Sequence, residues 1–444
     1  MKSLIDDNTS ADTIFFQKFI TLFFLYILLE GAFRKWLLPS LSTPIILIRD
    51  FFVIFIITQG IIKKVYNFNS DLEKTLLGWT ILIIFWIVLQ STINEINVGI
   101  FFVGFRNWVL YFWFSILIFR SFKDFYEIDK IIKAIIYTII PISILVMFQH
   151  YLPTDHILNI QVTSGLKSSG PSMIFTVVKD IVRVTSTFSF TTGHSQYISF
   201  ITPLIFYFLI EREKKVSFFI KLILTFSFLT CVLVSGSRGL VLNTLGMIMI
   251  ALFFNKSGKS FMQNFLILFF ISLICFLIFE RSINATLMRF ESATDGIFFY
   301  ERIFDTLLPS PSTWYNYTIL GKGIGLGSNL SQIFTGSVYL LGENEADRII
   351  GEGGFIGVLF YMLKIIISIY CIKKAKKIYK ENYFALPLYF SIYTAIQLTL
   401  HPVTAQITTH AFSSLSLGFL LILINVYPIK KNNNIDYNFN KQHH

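Results

Sequence analysis

Arginines are the residues of this sequence best suited to chemistry. Arg34, Arg49, Arg106 and Arg238 lie within apolar runs or at their ends, in one layer near the same face. A guanidinium is planar and permanently charged, and it contacts phosphate oxygens two at a time. A group of them reads as a site for phosphate or diphosphate. Small residues flank Arg238 in Ser235-Gly236-Ser237-Arg238-Gly239, which lets a ligand approach the backbone closely; an ordinary turn between helices is the other reading. Arg49-Asp50 and Arg106 fall inside apolar runs, roughly 8 and 10 Å from the same end at a helical rise. A charge near the centre of a bilayer costs roughly 2.5–3.5 kcal/mol and needs a reason. Either these arginines belong to an anion-binding layer, or Arg34 and Arg106 extend to lipid headgroups while Arg49 pairs with Asp50.

The polar stretch 280–353 holds most of the remaining candidates. Glu343, Glu345, Asp347 and Glu352 lie close in sequence to Arg348. A general base must be a carboxylate or imidazole within reach of its proton, so Glu343 and Glu345 are candidates against a background of solvated loop charge. Gly321-Lys322-Gly323-Ile324-Gly325-Leu326-Gly327 lacks the Walker spacing and its closing Lys-Ser/Thr. It reads instead as a compact turn whose amides could touch an anion. His194, His401 and His410 lack metalloenzyme spacing, so neither a metal nor another cofactor is expected. No Ser-His-Asp arrangement can be placed.

The elements that must position these residues are membrane helices. Of 444 residues, 54% are hydrophobic, only 14% are charged, and 50 are Phe; a soluble chain carries about 25% charge. Repeated apolar runs of about 17 to 22 residues predict an all-α polytopic membrane protein rather than a barrel. About twelve spans are expected, near 14–29, 44–62, 75–93, 99–119, 131–151, 195–210, 218–234, 240–254, 265–279, 354–372, 383–400 and 408–427. The net charge of +11 sits largely in connectors that fall on one side if every run spans. This is the positive-inside pattern, not a nucleic-acid surface. Both termini are then cytoplasmic. The polar start, with Asp6, Asp7 and Asp12, does not read as a signal peptide. The three cysteines all lie in apolar runs and read as core residues. Residues 1–444 form a single integral membrane domain, with 280–353 as a large extracytoplasmic loop before the tenth span.

Four stretches, in this order and on this side, resemble the O-antigen polymerase and ligase superfamily of bacterial envelope enzymes. They are Glu30-Gly31-Ala32-Phe33-Arg34-Lys35-Trp36; Ser235 to Gly239; Arg289-Phe290 with Glu301-Arg302 and Leu320 to Gly325; and Glu343-Asn344 with Gly351 to Gly357. The resemblance implies a GT-C-like helical glycosyltransferase of the bacterial inner membrane. It would act without metal on a polyprenyl-diphosphate-linked oligosaccharide, among membrane lipids, with a chain-length regulator and a repeat-unit flippase as partners. It makes Arg238 and Arg302 the first candidates for holding the diphosphate. Arg289, Arg348 and Arg34 come second, and Glu343 is the candidate base. Ligase-type members carry a His-Asn pair where this chain has Glu343-Asn344, so the departure favours a Wzy-type polymerase over a ligase. A flippase or transporter of lipid-linked sugars is a third reading. It requires a charged path through the bundle, whereas the charges read inside the runs stay in the outer third.

Overall fold

The computed structural model describes residues 2–162, 176–177, 181–210, 216–254, 258–294, 308–336 and 344–426. Among these residues the structure is helical, apart from one isolated bridge between Thr176 and Val182. The principal helices are α1 (Lys2–Ala32), α2 (Ser42–Ile62), α3 (Asp71–Ile93), α4 (Val98–Arg120), α5 (Phe125–Tyr151), α6 (Thr191–Ile210) and α7 (Phe218–Leu233). They continue with α8 (Arg238–Phe254), α9 (Gly258–Ile278), α10 (Glu280–Thr294), α11 (Glu345–Gly353), α12 (Phe355–Asn382), α13 (Leu386–Thr399) and α14 (Ile407–Asn425). Every apolar run expected to span coincides with one of these helices. Seven, namely α1 to α5, α12 and α14, are long and apolar enough to cross a membrane, as expected of a polytopic membrane protein. α7 and α8 are shorter apolar helices, and α13 has 14 residues.

The described parts of the stretch 280–353 include helix. It begins with α10, bent 91° from α9, and ends with α11 leading into α12. Polar residues start several helices by capping them. Ser70 accepts from the Glu73 amide at α3, Asp124 from the Glu127 amide at α5, and Asn344 from the Asp347 amide at α11.

Burial separates the centre of the bundle from its edge. The apolar window of α14 is 89% buried and that of α4 is 72% buried, whereas that of α3 is 17% buried. α4 and α14 touch closely: Ser115 donates to the Ser414 carbonyl at 2.9 Å, and a Cβ on Gly418 would meet Ile118 at 2.7 Å. Aromatic rings fill the space around them. Phe200 meets Phe390, Tyr393, Phe412 and Phe419 with centroids 5.4–6.2 Å apart, the range of favourable ring pairs.

Two π-helical turns aim side chains at one end of the bundle. One follows α1 at Phe33–Leu37 and carries Arg34 and Lys35; the other lies within α4 at Arg106–Leu110. Such widened turns often occur where a helix redirects functional side chains. At the opposite end, Lys63 pairs with Asp12 at 2.5 Å and Arg120 with Glu73 at 2.7 Å.

The Gly321–Gly327 turn packs against α4 with no room for a side chain. Gly325 takes φ +102, and a Cβ there would lie 2.6 Å from the Gly104 amide nitrogen. Gly325→Ala is therefore expected to destabilise by about 2 kcal/mol or more. Gly246→Ala on α8, with nothing within 4 Å of the added carbon, should leave stability unchanged or slightly raised. Thermal unfolding of the two purified variants in one detergent checks the contrast.

Candidate functional site

Arg238 opens α8, and Arg289 lies two turns along α10. Arg238 donates from Nη1 to the Arg289 carbonyl at 2.8 Å, and Arg289 donates from Nη1 to the Gly236 carbonyl at 2.5 Å. Ser282 adds a bond to the Leu233 carbonyl at 3.1 Å. Two stretches distant in sequence are thereby locked side by side. Gly236 takes φ +59, and a Cβ on it would strike Val177 at 2.4 Å. The glycine is thus needed for the turn and for contact with Val177, rather than for backbone approach by a ligand.

Arg183 joins this pair. Burial first, then Arg289 and Arg238, pull its pKa down to about 10, so three guanidiniums share one region. Its Nε is buried without a hydrogen-bond partner among the described residues. The sequence analysis did not single out Arg183. The available signal was its setting, an arginine between Val182 and Val184.

The segment carrying Arg183 is pinned from below. Lys35 donates from Nζ to the Ser186 carbonyl at 2.6 Å and to Thr185 Oγ1 at 3.0 Å. Gln149 both accepts from the Ser186 amide, at 2.7 Å, and donates to its carbonyl, at 3.1 Å. Ser186 is held at φ +48. Arg34 supports the same segment. It donates to Ser189 Oγ at 3.1 Å and to the carbonyl and hydroxyl of Ser42, and it pairs with Glu30 at 3.6 Å. Its guanidinium is buried in these contacts, so Arg34 acts as a strut beside the arginine group.

Arg49 and Asp50 do not pair with each other. Adjacent residues on a helix point about 100° apart. Arg49 instead faces Glu30 at 3.5 Å, while Asp50 takes Arg106 Nε at 2.8 Å and the Tyr111 hydroxyl at 2.8 Å. Arg106 and Arg49 are both buried, so neither extends to a headgroup. Among the described residues, the three guanidinium nitrogens of Arg49 have no hydrogen bond, so its link to Glu30 is ionic.

The carboxylates after residue 343 are structural. Glu352 is fully buried and accepts from the amides of Gly327 at 2.8 Å and Gly325 at 3.1 Å, and from Trp108 Nε1 at 3.1 Å. The anion held by the glycine turn is therefore the protein's own. Glu345 pairs with Lys364 at 2.6 Å and accepts from the amide and hydroxyl of Thr404. Asp347 accepts from the Ser310 amide and the Thr313 hydroxyl, both at 2.7 Å. Arg348 donates to the Gly327 carbonyl at 2.6 Å, which ties it to the glycine turn and α11. Arg302 and Glu343 lie outside the described residues; Asn344, next to Glu343, caps α11.

The histidines are absorbed by packing. His194 contacts the Cys231 carbonyl at 3.1 Å, His401 contacts Gln196 at 3.1 Å, and His410 lies against the Tyr111 ring. Burial lowers the His401 pKa to about 4, so its ring is neutral at pH 7. Among the described residues no group of three or more His, Cys, Asp or Glu is arranged to hold a metal ion.

Two tests follow from these contacts. Glu30→Ala strands Arg34 and Arg49 together and is expected to destabilise by about 3–5 kcal/mol, whereas Arg49→Met leaves the Arg34–Glu30 pair and should cost far less. Chemical unfolding in detergent separates the two. Burial, aided by Glu345 and opposed by the three donors, raises the Glu352 carboxyl to about 7. A raised carboxyl pKa stabilises the fold below the unfolded value near 4.5, and that contribution fades as pH rises through 7. Thermal stability should therefore fall between pH 4.5 and 8. Glu352→Gln should flatten this slope while lowering stability throughout, because its amide sets a donor against a backbone donor. A slope unchanged in the variant would assign the dependence to another group. No family model, curated protein or solved structure matches this chain.

Proposed function

We propose that this chain is a glycosyltransferase that polymerises polyprenyl-diphosphate-linked oligosaccharide repeat units at the outer face of the bacterial inner membrane. The observation that carries the reading is the meeting of Arg183, Arg238 and Arg289 at one end of a helical membrane bundle. Three permanently charged guanidiniums suit a diphosphate, and the repulsion that lowers the Arg183 pKa would be relieved by an anion among them. The N-terminus of α8 begins at Arg238 and adds its partial positive charge. The twelve-span count, the cytoplasmic termini and the GT-C-like architecture belong to the same reading.

The chemistry is a displacement at the anomeric carbon. The hydroxyl of the incoming unit forms the new C–O bond, and the bond from that carbon to the diphosphate oxygen breaks. The electron pair leaves with polyprenyl diphosphate, and the hydroxyl proton passes to a base, for which Glu343 is proposed. The arginines act where negative charge develops, on the leaving diphosphate, and this electrostatic role needs no metal. Arg302 is proposed to complete the group, with Arg348 and Arg34 supporting its walls.

Arg183→Ala and Arg238→Ala should each lower the yield of long chains by about 10²-fold, the size of losing one such charge-stabilising donor. The assay supplies purified protein with a defined lipid-linked repeat unit and reads product length. Normal lengths from both variants would refute the site assignment. Long glycan on the polyprenyl carrier in cells lacking the protein would point to the ligase reading; single units there support the polymerase.

A further inference from the structure

A small cavity lies inside the bundle, between α4, α12, α13 and α14. Its walls include Asn107, Lys364, Leu398, His410, Ser413 and Leu417, and its volume is about 10 Å³. A space of that size holds one species about as large as water and shuts out a phosphate or a sugar. Lys364, His410 and Ser413 are 2%, 4% and 3% exposed, so the polar part of the wall is cut off from bulk solvent.

The polar groups around the cavity are of two kinds. Some are fully engaged. Asn107 donates to the Thr404 carbonyl at 2.9 Å and accepts from Arg106 Nη1 at 2.8 Å, and the Tyr111 hydroxyl is held by Asp50. Three others have bonds to give. Lys364 donates to Glu345 at 2.6 Å, and an ammonium has three N–H groups. His410 Nδ1 is buried without a hydrogen-bond partner among the described residues. Ser414 and Ser416 return their hydroxyls to carbonyls of their own helix at 2.8 Å, whereas the Ser413 hydroxyl has no partner among the described residues. An ammonium, an imidazole N–H and a hydroxyl can all donate, and among the described residues no carboxylate lines the cavity.

The field at this place is positive. Among the described residues, the charges that act on the His410 ring are those of Arg106, Lys364 and Arg49. The ion pairs nearby join four cations, Arg34, Arg49, Arg106 and Lys364, to three carboxylates, Glu30, Asp50 and Glu345. One positive charge of this set is left without a counter-charge, and such a charge is costly inside an apolar bundle. A water molecule would satisfy the open donors but not the excess charge. An anion satisfies both.

We propose that the cavity binds one small monovalent anion of the halide class, held by Lys364, His410 and Ser413. Chloride suits it, being little larger than water and able to accept from several donors at once. The site shares no residue with the group of Arg183, Arg238 and Arg289, and it stands whether or not the chain transfers sugar.

An ion that binds only the folded chain raises the unfolding midpoint with the logarithm of its concentration once above its Kd. Purified protein in detergent is unfolded by heat in sodium gluconate, with chloride substituted stepwise at constant ionic strength and pH. The midpoint is expected to rise by a few degrees, and bromide should act as chloride does. Ser413→Ala removes a donor to the ion but no hydrogen bond among the described residues, so it should fold as the wild type does. It should need about tenfold more chloride for the same rise, the size of one hydrogen bond to a charged group. A wild-type midpoint indifferent to chloride would assign the cavity to water and overturn the proposal without recourse to any variant. A chloride response in Ser413→Ala at the wild-type concentration would place the ion elsewhere and overturn it equally.

Discussion

An apolar helical bundle tolerates a charge only when an opposite charge is brought to it. Glu30, Arg34, Arg49, Asp50 and Arg106 lie on three apolar helices and are nearly all buried. Their desolvation is offset by the linkages Arg34–Glu30–Arg49 and Asp50–Arg106, with Tyr111 closing the second. These linkages set how α1, α2 and α4 stand relative to one another. Any rotation of α2 about its axis would draw Arg49 from Glu30 and Asp50 from Arg106. The arginine group beside Arg238 depends on this scaffold, because Arg34 and Lys35 hold the segment that delivers Arg183.

The same constraint governs the far side of the glycine turn. A carboxylate as deeply buried as Glu352 needs donors, and the Gly325 and Gly327 amides with Trp108 supply them. The turn can present those amides because Gly321, Gly323 and Gly325 all take positive φ. Glu345 finds Lys364 and Thr404 for the same reason. What reads in one dimension as a cluster of exposed acids is therefore a set of joints holding α11 against α4, α12 and the approach to α14.

Three arginines gathered on Ser235–Gly239, α10 and the 181–190 segment contrast with those joints. Arg238 and Arg289 each donate to a main-chain carbonyl, which orients the guanidinium. Arg34, in turn, has Glu30 one turn away.

Helix positions were legible in the sequence because apolar run length reports directly on hydrocarbon thickness, and every expected run holds a helix. Arg238 was legible as a candidate because it stands among glycines and serines at the end of an apolar run, and Arg289 through the family resemblance. The partners of Arg49, Asp50, Glu345 and Glu352 were not legible, because a buried charge is satisfied by whatever residue faces it across helices, and facing depends on packing rather than spacing. Arg183 was missed on the same ground: its distinction is proximity to two arginines more than fifty residues away. The course of α10 was hidden too, since the drop in hydropathy after Phe279 marks the end of the apolar run but not the helix that follows or its 91° bend. Sequence alone determined which segments are apolar enough to be helices in a membrane. Only tertiary structure decided which charges pair and which arginines gather, because that depends on distances that packing sets.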